Sequence, residues 1–206
     1  MSRLPRFTLR ELVLIGVFGA LWGVVETTVG SLMHLAHVPF KGALLGGFGL
    51  LVVLIGRLFV PRRGATLSMG IVTAILKMFS LGEFVFNPML AIFMEALLAE
   101  LVLSGFGQPS RRSFMLAGAA GTGWNFLHPL VTWGILGGQG IVTLWTDTIN
   151  NGAYLLGISP DAAWLVAALL IVIYAGSGLI GGWLAWGIGR RIQARQAASL
   201  NQAATP

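Results

Sequence analysis

Arginine in this chain comes in four short clusters separated by long apolar stretches, and that spacing limits the possible folds more than any other feature. The clusters are Arg3/Arg6/Arg10, Arg57/Arg62/Arg63, Arg111/Arg112 and Arg190/Arg191/Arg195, and they hold eleven of the thirteen Lys and Arg residues. Basic residues in short loops stay on the cytoplasmic side of a membrane. A chain that returns to that side at every cluster must cross the bilayer and come back between them. The expectation is an all-α integral membrane protein with three hairpins, six spans and both termini inside. Lys41 and Lys77 fall near the opposite face and need a separate reason to exist.

Composition agrees with lipid rather than water as the main surroundings. The chain is 56% hydrophobic and 10% charged, with mean hydropathy +0.84, whereas a soluble domain carries about 25% charged residues. A net charge of +6 raises nucleic acid as a partner, but the basic residues border apolar runs and form no stripe. Positive-inside bias explains them, with the lipid bilayer and its anionic head groups as the partner. Cysteine is absent, which excludes disulfides, thiolate nucleophiles and cysteine metal sites. The first apolar run outlasts a signal-peptide core and lacks a small-residue cleavage pattern, so it reads as a span.

The spans are expected at about 9–33, 42–60, 65–79, 87–103, 113–136 and 162–188. A helix needs roughly 20 residues to cross a ~30 Å hydrocarbon core, so the third is short and the sixth long. Together they make one transmembrane domain over 1–192. Residues 193–206 read as a disordered cytoplasmic tail, and 137–161 as a glycine-rich outer connection able to act as a lid.

Polar groups gather at one depth. Glu26 on span 1, Lys77 on span 3, Glu83 and Asn87 at the following turn, and Asn125, His128 and Trp133 on span 5 all fall in the outer half of the bundle. Asn151 and Asp147 join them from the outer connection, and Glu95 lies mid-span in span 4. Ionisable groups inside spans are costly and turn toward a cavity or a partner. A compact bundle with an outward-facing pocket is therefore expected, and Glu26 pairing with Lys77 simply to fix helix packing is the competing arrangement. Glu100 lies roughly 140° round the helix from Glu95 and reads as structural. His34, His37 and His128 without a carboxylate at helical spacing make a weak metal set, and no metal or other cofactor is expected.

Small residues mark two spans. Gly16, Gly19, Ala20 and Gly23 on span 1 form small-xxx-small pairs that let another helix approach closely. Gly176, Gly178, Gly181 and Gly182 do the same on span 6. The chain has no GxxxxGK[ST] loop, no GxSxG and no HExxH. It is not expected to be an enzyme, and energy for uphill transport would have to come from elsewhere.

The six spans, the span 1 stripe and the outer polar groups together resemble the S components of energy-coupling factor transporters, the membrane-embedded vitamin-binding subunits of those importers. Residues 62–82 and 87–103, with the E-A-x-x-A-E pattern from Glu95 to Glu100, are similar to the thiamine-precursor (hydroxymethylpyrimidine) branch. The resemblance implies that Gly16-x-x-x-Ala20 stands where the family has its Ala-x-x-x-Ala stripe for docking the transmembrane coupling subunit. It implies two ATPase subunits as further partners. It also implies a ligand held by an acid, a His, a Trp and an Asn, types matched here by Glu83, His128, Trp133 and Asn151. Nickel and cobalt members carry a His directly after Met1, where this chain has Ser2. A ligand-free membrane scaffold is the alternative.

Overall fold

Prolines and glycines stop the helices where the arginine spacing asks for turns. The computed structural model describes residues 7–79 and 86–203, and every element among them is helical. In chain order these are α1 (Leu9–Leu35), α2 (Lys41–Phe59), α3 (Ala65–Lys77), α4 (Phe86–Phe106), α5 (Arg111–Pro129), α6 (Ile141–Leu156) and α7 (Ala163–Ala203). Pro61 follows α2, and Ser110 caps α5 by accepting from the Ser113 amide at 3.1 Å while Ser113 Oγ accepts from the Ser110 amide at 2.9 Å. Four stretches are long and apolar enough to cross a membrane: Leu9–Met33, Lys41–Phe59, Phe86–Phe106 and Pro160–Gln202. Helix α3 is apolar but short.

Three features differ from the sequence expectation. Span 5 does not run as a regular helix to Leu136: α5 ends at Pro129 and a π-helical turn carries the chain from Leu130 to Leu136. Pro129 has no N–H to give the preceding turn, which is enough to loosen the ladder there. The connection 137–161 is not a loop, because it contains the amphipathic helix α6, which buries Ile149, Gly152 and Ala153. Residues 193–203 continue α7 instead of lacking structure, and Gln193 Nε2 donates to the Leu58 carbonyl at 2.8 Å.

The helices close into a ring in the order α1, α3, α4, α5, α7, α2, and α2 also reaches across to α4 and α5. Glycine allows this. A Cβ on Gly178 or Gly182 of α7 would fall inside backbone of α5, at Gly118 and Phe114, and one on Gly181 would sit 2.8 Å from the Gly47 carbonyl of α2. With little hydrophobic drive between helices in lipid, such close backbone approach is a main source of association. Trp22, Leu50, Leu54, Met69 and Phe114 fill the centre and are fully buried.

The arginines meet at one end. Arg62 Nε donates to Glu11 at 2.6 Å, joining the start of α1 to the α2–α3 turn. Glu100, buried near the end of α4, accepts from the Gly64 and Thr66 amides at 2.8 and 3.0 Å and lies 3.7 Å from Arg57. Arg111 and Arg190 lie over the rings of Trp183 and Trp186. Glu100 is thus the structural carboxylate that its helical position indicates.

Gly178→Ala is expected to destabilise the folded protein by about 1–3 kcal/mol through overpacking, while Gly176→Ala, whose Cβ would meet nothing within 4 Å, leaves it unchanged. Thermal unfolding of both variants in detergent checks this.

Candidate functional site

The end opposite the arginines is hollow. A cavity of about 670 Å³ opens between the α1–α2 turn, the ends of α2 and α5, helix α6 and the outer part of α7, a size in the range of small-molecule sites. The turn brings His37 and Phe40 to one wall with both backbones in the left-handed region, at φ 50° and 53°. Non-glycine residues are uncommon there and persist only where the surroundings hold them. Helix α6 supplies the facing wall with Asp147, Thr148 and Asn151; α7 adds Tyr174, and Asn125 of α5 lies on the floor. A second groove of about 450 Å³ between α2 and α7 is apolar apart from Ser177, whose hydroxyl donates to the Tyr174 carbonyl at 2.7 Å.

Asn125 is the best-anchored polar group of the cavity. Its Nδ2 donates to Glu95 Oε1 at 2.5 Å and to the Gly42 carbonyl at 3.3 Å. That arrangement ties α5 to α4 and α2. It is possible because residue 46 is glycine, where a Cβ would lie 2.9 Å from Asn125 Nδ2 and 3.0 Å from Glu95 Oε1. Glu95 is buried, and its Oε2 has no partner.

The other sequence-predicted site residues lie elsewhere. Glu26 and Lys77 face each other across α1 and α3, Oε2 to Nζ 3.9 Å, with Nζ also 3.5 Å from the Glu26 carbonyl. They do not line the cavity, so the packing arrangement describes them better. His128 Nε2 lies 3.2 Å from the Asn87 carbonyl and its ring packs edge-on to Trp124, so Asn87 and His128 close the α4–α5 seam. Trp133 is half-buried in the π-helical turn and also misses the cavity wall. Glu83 lies outside the described residues. Of the small-residue stripe, Gly19 and Gly23 are buried against α3, where Cβ atoms would meet Val72 and Leu76. Gly16 faces open space, and Ala20 is half-exposed beside Val13, Val17 and Val24.

Sequence reasoning overlooked Gly46 and Tyr174 as site residues. Gly46 carries no periodic signal. Tyr174 was legible as a lone phenol in the most apolar span, placed by the pitch of α7 at the depth of Asn125.

Several apolar helices, four of them long enough to cross a bilayer, define a multi-pass membrane protein. More particularly, the chain belongs to the family described as hypothetical bacterial integral membrane protein (Trep_Strep), whose pattern matches residues 9–194. No curated protein and no solved structure matches it.

Lys77→Met is expected to cost about 3–5 kcal/mol, because it leaves the Glu26 carboxylate buried without its cation. Adding Glu26→Gln should restore most of the loss. Denaturant titration of the single and double variants in detergent measures the difference.

Proposed function

We propose that this chain is the substrate-binding subunit of an energy-coupling factor importer. It would cross the membrane six times with both termini inside, and capture a small water-soluble vitamin or precursor, of the thiamine or hydroxymethylpyrimidine type, from outside. The observation that carries this reading is the cavity itself: a void with Asn125, Asp147, Thr148 and Asn151 on its walls, at the end of the bundle away from the arginine clusters. In hydrocarbon such groups are tolerated where they line a water-filled or ligand-filled space. A ligand-free scaffold accounts for the Glu26–Lys77 pair but gives no reason for the cavity.

Capture without chemistry fits the residues. The cavity walls hold no hydroxyl nucleophile paired with a base among the described residues, and binding rests on hydrogen bonds to Asn151 and Asn125 with Phe40 and Tyr174 as apolar faces. Helix α6 forms a whole wall and is flanked by Gly137, Gly138, Gly140 and Gly157, so ligand entry by its displacement is the simplest route.

Energy would come from partners. The open face of α1, with Gly16 and Ala20 between exposed Val13, Val17 and Val24, is where a transmembrane coupling subunit would dock, carrying two ATPase subunits with it. Gly16→Leu and Ala20→Leu should abolish co-purification of a coupling subunit yet leave ligand affinity intact, and normal pull-down by both variants contradicts that assignment.

Asn151→Ala should weaken ligand affinity at least tenfold, about 1.4 kcal/mol. Mass spectrometry of small molecules released from the purified protein identifies the ligand, and calorimetry measures the variant. Identical affinities for the variant and the unaltered protein would remove Asn151 from the site.

A further inference from the structure

Asn125 meets the cavity with one end of its amide already committed. A primary amide nitrogen carries two N–H groups, and here they go to Glu95 Oε1 at 2.5 Å and the Gly42 carbonyl at 3.3 Å. Turning the amide over would set Oδ1 against both of those oxygens. Glu95 could relieve its half of that conflict by holding a proton, but the Gly42 carbonyl can never donate. Both contacts favour the same orientation, and the 2.5 Å bond to Glu95 restrains it more strongly than the 3.3 Å contact with Gly42. Asn125 also lines the cavity, and the group it has left to offer there is Oδ1, an acceptor.

The surroundings point the same way. Glu95 is 4% exposed, with Oε2 unpartnered, and the described residues give it no ion pair. Asp147 adds a carboxylate to the facing wall, while the basic groups lining the cavity, His37 and Lys41, belong to the α1–α2 turn and the first residue of α2. The carboxylates thus lie behind the floor and on the α6 wall, and the basic groups at the α1–α2 turn and the start of α2.

We propose, building on the capture reading of this same cavity, that Glu95 is a positioning residue that makes the floor selective for hydrogen-bond donors. The ligand presents an N–H or NH2 group to Asn125 Oδ1, and Glu95 fixes that polarity from behind without touching the ligand. A ligand that offers only an acceptor at that point meets an oxygen that cannot turn away, and a buried polar group left unmatched is costly. A site that hydrogen-bonds a substrate N–H discriminates strongly against the analogue that lacks it.

The test uses two probes, 4-amino-5-hydroxymethyl-2-methylpyrimidine and its 4-methoxy counterpart, which differ in whether that ring position can donate. Calorimetry in detergent should show the unaltered protein binding the amino probe at least tenfold more tightly. Glu95→Gln keeps an acceptor for Asn125 Nδ2 and should keep the preference. Glu95→Leu frees the amide to rotate, and the preference should fall below threefold, mainly through better binding of the methoxy probe. Gly46→Ala pushes on the same pair from α2 and should lower the preference too, which provides a reading if Glu95→Leu does not fold. Equal binding of the two probes by the unaltered protein, or an undiminished preference in Glu95→Leu or Gly46→Ala, overturns the role of Glu95 and leaves capture standing. Binding of neither probe overturns both.

Discussion

The molecule is organised around the rule that a polar group away from water must find its partners within the protein. Asn125 obeys it by joining three helices: it sits on α5, and its amide reaches a side chain of α4 and a carbonyl of α2. The same side chain closes the bottom of the cavity. One residue thus joins three helices and faces the cavity, and what the helices require of the amide decides which of its atoms the cavity can meet.

The two ends of the bundle treat their polar groups in opposite ways. At the arginine end Glu100 has four neighbours, two backbone amides, Arg57 and Ser104 Oγ at 2.6 Å, and the helices are drawn shut around it. At the other end the α1–α2 turn and α6 stand apart, and their polar groups face a void. Glycine contacts hold α7 against α5 and α2 toward the closed end, so opening at the cavity need not disturb the packing below. The proposed capture role would use that combination of a closed base and a separable rim.

Much of this was legible in the residues. Arginine spacing indicated basic turns that share one end, as the described arginines do, and the glycines of span 6 announced close packing against α5 and α2. Depth alone, however, could not say which outer polar groups share a space. Glu26, Lys77 and His128 lie at the right level but turn to neighbouring helices, since depth follows from position along a helix while facing depends on how helices rotate against each other. Helix α6 was hidden by its flanking glycines and its mixed polarity, although Trp145, Ile149, Gly152 and Leu156 carry the helical spacing. Trp145 packs edge-on to Phe126, a contact no local pattern foretells.

The central claim is a cavity, with Asn125, Asp147 and Asn151 among its lining residues, that communicates with the outside. The chain contains no cysteine, so a single introduced thiol reports one position without background. Tyr174 and Val172 lie two residues apart on α7, the first on the cavity wall and the second 64% exposed in the separate apolar groove between α2 and α7. The most direct measurement is labelling of Tyr174→Cys and Val172→Cys in intact cells with a membrane-impermeant maleimide. The account predicts labelling at 174 and none at 172. Modification at neither position, or at 174 only after the cells are permeabilised, would contradict it.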